Sequence, residues 1–207
     1  MLFSSIPFLY YFLPAVLIAY FAVPKNGKNA VLLVSSLVFY GWGEPKYLLL
    51  MALTIGAFFG CGLAIDRAAT QKGKKLWLTV SVAVGILLLT VFKYADFFLQ
   101  SFAAVTGLSI PLLRLALPIG ISFYTFQCMS YAVDVYRGNV PAQKNLITFG
   151  AYVALFPQLI AGPIVRYVDV ARELENRSTT FEDLSYGARR FWWVCPKRSS
   201  LPISWVS

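Results

Sequence analysis

The chain has 207 residues, 58% of them hydrophobic and 13% charged, with a mean hydropathy of +0.67. Soluble domains carry about 25% charged residues, so this composition excludes an ordinary soluble domain and points to a membrane protein. The net charge of +9 does not mark a nucleic-acid binder, because the basic residues fall in short runs between apolar stretches, as cytoplasmic loops and anionic headgroups favour.

Seven windows lack Asp, Glu, Lys and Arg: 6–23, 29–43, 47–65, 76–92, 97–113, 115–133 and 145–165. A membrane span takes about 20 residues. Windows 6–23, 47–65 and 76–92 read as plain spans. No positive region precedes the first and no small-residue cleavage site follows it, so it is expected to stay as a span rather than leave as a signal peptide. Window 29–43 is short and must tilt, thin the bilayer or pair tightly. Window 97–113 is interrupted by Gly107 and Pro111, and a short interfacial piece fits it as well as a span. Lys25 and Lys28 lie in the first connection, and Arg67, Lys72, Lys74 and Lys75 in the third. The positive-inside rule puts both in the cytoplasm and the N-terminus outside. The fold class expected is an all-α integral membrane protein, a multi-span helical bundle with broken or re-entrant segments over 1–165.

Segment 166–190 is rich in charge and reads as an amphipathic cytoplasmic or interfacial piece, with Thr179 and Glu182 spaced as a capping box. Residues 191–207 carry three of the five tryptophans but neither a span's length nor an amphipathic period. They read as an atypical tail, frameshifted or truncated. Cys61, Cys128 and Cys195 are isolated, and there is no histidine. Neither a disulfide framework nor a metal site is expected.

Two stretches depart from the lipid-like pattern. In 115–133, Pro118 and Gly120 interrupt a helix start, and Gly120, Tyr124, Gln127, Tyr131 and Asp134 then recur at i, i+4, i+7, i+11 and i+14. That spacing puts them on one helical face. Polar groups within spans face a bundle interior or a cavity. Single members of such a stripe can act as interhelical glue, whereas the whole stripe is read as cavity lining. Asp134 and Arg137, at i+3, are expected to form a local ion pair. In 145–165, Pro157 and then Gly162 and Pro163 break the helix around Gln158, and Arg166 stands where the chain leaves the apolar zone. Arg166 suits an anionic headgroup or the phosphates of an acyl carrier.

Pro118-Ile-Gly-Ile-Ser-Phe-Tyr-Thr-Phe-Gln127, Ser130-Tyr131, Asp134-Val-Tyr-Arg-Gly138 and Phe156-Pro-Gln-Leu-Ile-Ala-Gly-Pro163 resemble the membrane-bound O-acyltransferases. The nearest likeness is to the bacterial branch of alginate O-acetyltransferases and teichoic-acid D-alanyl transferases. Phe3-Ser-Ser-Ile-Pro-Phe8 and Phe39-Tyr-Gly-Trp-Gly-Glu-Pro45 resemble that branch too. The resemblance implies part of a many-helix enzyme of the bacterial inner membrane with a funnel across the bilayer. It implies a cytoplasmic thioester donor, acetyl-coenzyme A or carrier-bound, no bound cofactor, and a hydroxyl acceptor on an exported polysaccharide such as alginate. It also implies periplasmic acetyltransferase partners. Tyr124, Gln127, Tyr131, Asp134, Gln158 and Arg166 would line or orient that funnel. The family's essential histidine, a general base or relay, has no counterpart in these residues, so no catalytic group is assigned and the chain is expected to be inactive alone. Two other readings stay open: a small transporter built on the broken segments, and a non-catalytic membrane scaffold docking a partner through 166–190.

Overall fold

A computed structural model describes residues 7–94, 97, 118–160, 165–175, 185–187 and 189–190. Every regular element among them is helical. They run α1 (Leu13–Ala22), α2 (Lys28–Gly43), α3 (Leu48–Arg67), α4 (Gln71–Leu89), α5 (Ile121–Arg137), α6 (Leu146–Ala154), α7 (Phe156–Ile160) and α8 (Tyr167–Glu175).

Local chemistry sets the ends. Thr70 caps α4, its hydroxyl accepting from Gly73 N–H at 3.1 Å, and Asn145 caps α6 by accepting from Ile147 N–H at 2.9 Å. Glycines at φ 76° bracket α5, Gly120 before it and Gly138 after it. At Gly138 the chain closes as a Schellman turn, Asn139 N–H reaching Asp134 C=O at 3.0 Å. Only glycine takes this left-handed conformation without steric cost.

Two helices are long and apolar enough to cross a membrane, Pro45–Arg67 and Gln71–Tyr94. They match windows 47–65 and 76–92. The other windows give shorter pieces. Window 6–23 forms a wide π turn over Phe8–Phe12 followed by α1, not one uniform span. Window 145–165 divides at Leu155, where ψ turns to 111°. The cause is Pro157, which has no N–H to offer Val153 C=O four residues back. Phe156 N–H donates instead to Ser36 Oγ at 3.2 Å, tying the break to α2. Window 97–113, the capping box at 179–182 and the tail 191–207 lie outside the described residues.

α3 is central and α5 packs on it. Met51, Ile55, Phe58 and Ile65 of α3 join Tyr124, Cys128 and Tyr131 of α5 and Phe149, Tyr152 and Val153 of α6 in one core. Phe8, Phe39 and Phe156 form a second cluster, with ring centroids 5.5–5.9 Å apart. Backbone approach is close where α5 meets α3 and α4: Gly62 lies under Tyr131, and Gly85 under Met129. Beyond its lysine-rich first turn α4 is apolar on every side, yet only 11% of its membrane-length window is buried, against 39% for α3. A helix apolar on every side and left uncovered fits lipid, not water. Tyr10, Tyr11, Trp42, Leu49 and Leu53 are likewise exposed.

α3 and α5 run the same way: Glu44, just ahead of α3, meets Ile119 just ahead of α5, and Gly62 meets Tyr131 farther along both. Asn29 at the start of α2 reaches Thr148 at the start of α6, and Leu174 C=O in α8, each at 3.0 Å. The end that gathers the start of α2, the finish of α5 and α8 therefore carries Lys28, Arg67, Arg137, Lys144 and Arg166. Glu44, Gly120 and α7 lie toward the opposite end.

Candidate functional site

The polar face of α5 turns inward. Tyr124, Gln127, Tyr131 and Asp134 are all buried, between 0% and 3% exposed. Inside an apolar bundle each polar atom needs a partner, and most find one across helices. Gln127 Nε2 donates to Tyr152 C=O at 3.0 Å. Tyr131 Oη accepts from Gln143 N–H at 2.9 Å, and Gln143 Nε2 donates to Tyr167 Oη at 2.9 Å. Gln143 Oε1 accepts from Asn145 N–H at 3.0 Å, and Tyr152 Oη donates to Val165 C=O at 2.9 Å. Tyr167 presents its ring edge-on to Tyr131 and to Tyr152, each with centroids 5.1 Å apart. Three tyrosines and Gln143 thus lock α5, α6 and α8 together through neutral hydrogen bonds.

Asp134 closes this cluster on the basic side. Its carboxylate takes the Arg166 guanidinium and Asn139 Nδ2 at 3.2 Å. The local pair with Arg137 expected from the i+3 spacing does not form. Arg137 is exposed while Asp134 is 1% exposed, so the two point to different surroundings. Arg166 arrives instead from the segment ahead of α8 and stays half exposed. The hydrogen bond that Arg166 donates to the Asp134 carboxylate, and then that carboxylate's charge, push the guanidinium above its ordinary pKa. The second oxygen of Asp134 is buried with no hydrogen-bond partner among the described residues.

The sequence-predicted residues divide between two places. Tyr131, Asp134 and Arg166 gather near the basic end, while Gln127 lies about midway along α5 against Tyr152. Tyr124, Gln158, Pro118 and Gly120 lie toward the other. A side chain at Gly120 would meet Leu159 C=O at 3.0 Å, so α7, with Pro157 in its first turn, closes on the turn that starts α5. Gly162 and Pro163 lie outside the described residues. Gln143, Tyr152, Tyr167, Asn139 and Glu44 were not singled out from the sequence. Tyr152 falls inside window 145–165, Tyr167 inside the charged segment 166–190, and Gln143 between two windows.

The cluster holds neutral hydroxyls, amides and one ion pair. Cys61 and Cys128 are buried thiols, and no group of potential metal ligands occurs among the described residues. Among the described residues this cluster supplies no activated nucleophile.

No family model and no solved structure significantly matches the chain. Curated relatives do. It is 42% identical over 197 residues to a Pseudomonas syringae protein named "Probable alginate O-acetylase AlgI", covering 92% of this chain and 38% of that one. The Pseudomonas aeruginosa protein of the same name is 41% identical over 196 residues, with the same coverage. A Helicobacter pylori peptidoglycan O-acetyltransferase is 29% identical over 210 residues, covering 87% of this chain and 40% of that one. The chain thus spans about two fifths of the length of these relatives. With identity near 41% sustained over 92% of its length, the chain belongs to the alginate O-acetylase family of membrane-bound O-acyltransferases as a partial region of it.

Proposed function

We propose that the chain forms part of a multi-span membrane O-acetyltransferase that moves an acetyl group from a cytoplasmic thioester to a hydroxyl of an exported polysaccharide. The observation that carries this reading is the likeness to two kinds of O-acetylating relatives, named for alginate and for peptidoglycan. Both names specify a polysaccharide acceptor and the same group transferred.

The geometry supports a two-ended arrangement. The basic end faces the cytoplasm by the positive-inside rule, in a bacterial inner membrane. Arg166, fixed by Asp134 but half exposed, offers its free N–H groups to the phosphates of a coenzyme A or carrier thioester. Tyr131, Gln143 and Tyr167 hold the backbone that carries it. These 207 residues contain no histidine, so their contribution is framework and positioning, and an imidazole base would come from elsewhere in the complete enzyme.

A chimera tests this. The chain replaces the matching region of the Pseudomonas syringae relative, and transfer of radiolabelled acetyl from acetyl-coenzyme A to alginate oligomers is followed in proteoliposomes. Transfer by the chimera, with none by the 207 residues alone, is the expected result. A folded chimera that transfers nothing while its parent does would overturn the proposal.

A further inference from the structure

The other helices gather round α3, with α2, α4, α5 and α6 all packed on it. Met51, Ile55, Phe58 and Ile65 fill its buried side. The opposite side is open: Leu49, Ala52, Leu53, Gly56, Ala57 and Gly60 are all exposed. Ala52, Gly56 and Gly60 recur every four residues, which stacks them along one face. No exposed side chain between Leu49 and Gly60 carries a charge or a hydrogen-bonding group.

The glycines set this face apart. Glycine inside a helix is destabilising relative to alanine, so each one needs a reason. Elsewhere in the bundle packing supplies it. A methyl added at Gly62 would strike Tyr131, at Gly85 Met129 and at Gly150 Leu33, each at 3.1 Å or less. In those three places the missing side chain lets a neighbouring helix come close. Gly56 and Gly60 have nothing within 4 Å, yet they carry the G-x-x-x-G spacing by which membrane helices bring their backbones together. Lipid gives no such reason, because acyl chains pack as well on larger apolar side chains. α4 turns Leu76, Ile86 and Leu87 outward, each more than half exposed.

We infer that the open face of α3, centred on Gly56 and Gly60, is a docking face for an apolar membrane helix of the complete enzyme that lies outside these 207 residues. This rests on the partial-enzyme reading above. The curated relatives carry well over half their length outside the matched region, which supplies the length for such a helix. Its hold on α3 comes from close van der Waals contact over the two glycines, since the face offers no ion pair or hydrogen bond from a side chain.

The test puts Gly56→Leu and Gly60→Leu in two settings, the 207-residue chain and the chimera described above, each melted in detergent by circular dichroism. Ala83→Leu, exposed on α4, is the control. In the chain alone both glycine variants should melt no lower than the parent, because a side chain at either position points into open space. In the chimera each should lower the melting temperature by several degrees or prevent folding, through overpacking, while Ala83→Leu has no effect in either setting. Three results would overturn the inference: no change in the chimera, a loss there matched by Ala83→Leu, or an equal loss in the chain alone. A fourth is a chain that light scattering finds dimeric and that Gly60→Leu makes monomeric, which would identify a second copy as the occupant. A chimera that transfers acetyl and tolerates both glycine variants keeps the proposed function and loses the docking face. One that transfers nothing but melts lower with each variant does the reverse.

Discussion

A methyl group added at Gly62 would lie 2.7 Å from Tyr131 Cε1 and 2.8 Å from its Oη. Tyr131 has little room to yield. It is fully buried, its hydroxyl is held by Gln143 N–H, and its ring lies against Phe149 and Tyr167 with centroids 4.7 and 5.1 Å away. Gly62→Ala must therefore push α3 and α5 apart, an overpacking that costs about 1–3 kcal/mol. The same change makes the helix intrinsically more favourable by roughly 0.5–1 kcal/mol. Gly56 and Gly60, on the exposed side of the same helix, have nothing within 4 Å of an added methyl. Alanine there brings only the gain in propensity. Subtracting the Gly56→Ala effect from the Gly62→Ala effect isolates the packing term, expected at about 1–3 kcal/mol destabilising. The assay is reversible unfolding of the detergent-solubilised protein by added SDS, followed by far-ultraviolet circular dichroism. Equal midpoints for Gly62→Ala and Gly56→Ala would show that the α3–α5 contact described here is wrong.

Tyr131→Phe strips the buried Gln143 N–H of its acceptor and should destabilise by about 1–3 kcal/mol in the same titration. Combined with Gly62→Ala its effect should be less than additive, since the lost hydroxyl relieves part of the clash. Asn145→Ala removes the cap of α6 and should cost about 1 kcal/mol, whereas Asn145→Asp keeps the acceptor and should retain most of it; equal losses would argue against the cap. Arg166→Ala should lower the melting temperature more than Asp134→Asn, because the first leaves a buried carboxylate without its cation and the second returns a half-exposed arginine to solvent. The reverse order of melting temperatures would refute that asymmetry.

Helix periodicity alone placed Tyr124, Gln127, Tyr131 and Asp134 on one face of α5, and the structure buries all four. Gly120 was readable as a break, since beside Pro118 it can take a left-handed φ that other residues resist, whereas Gly138, which takes the same φ, stood only inside a motif. The two long apolar helices followed from composition, because a run of uncharged residues fixes helix length without reference to neighbours. The motifs around Pro118–Gln127 and Phe156–Pro163 carried the family, and 41–42% identity to its members agrees. Partnership was another matter. Asp134 bonds Arg166, 32 residues on, and not Arg137 three residues on, because α5 aims one side chain inward and the other outward while α8 brings a distant arginine alongside. Gln143 and Tyr167 joined the site by the same route, and Ser36 came to satisfy Phe156 N–H from 120 residues away. Spacing along a chain determines which side chains share a helical face; which groups meet across helices depends on how those faces pack, and only the tertiary structure decides that.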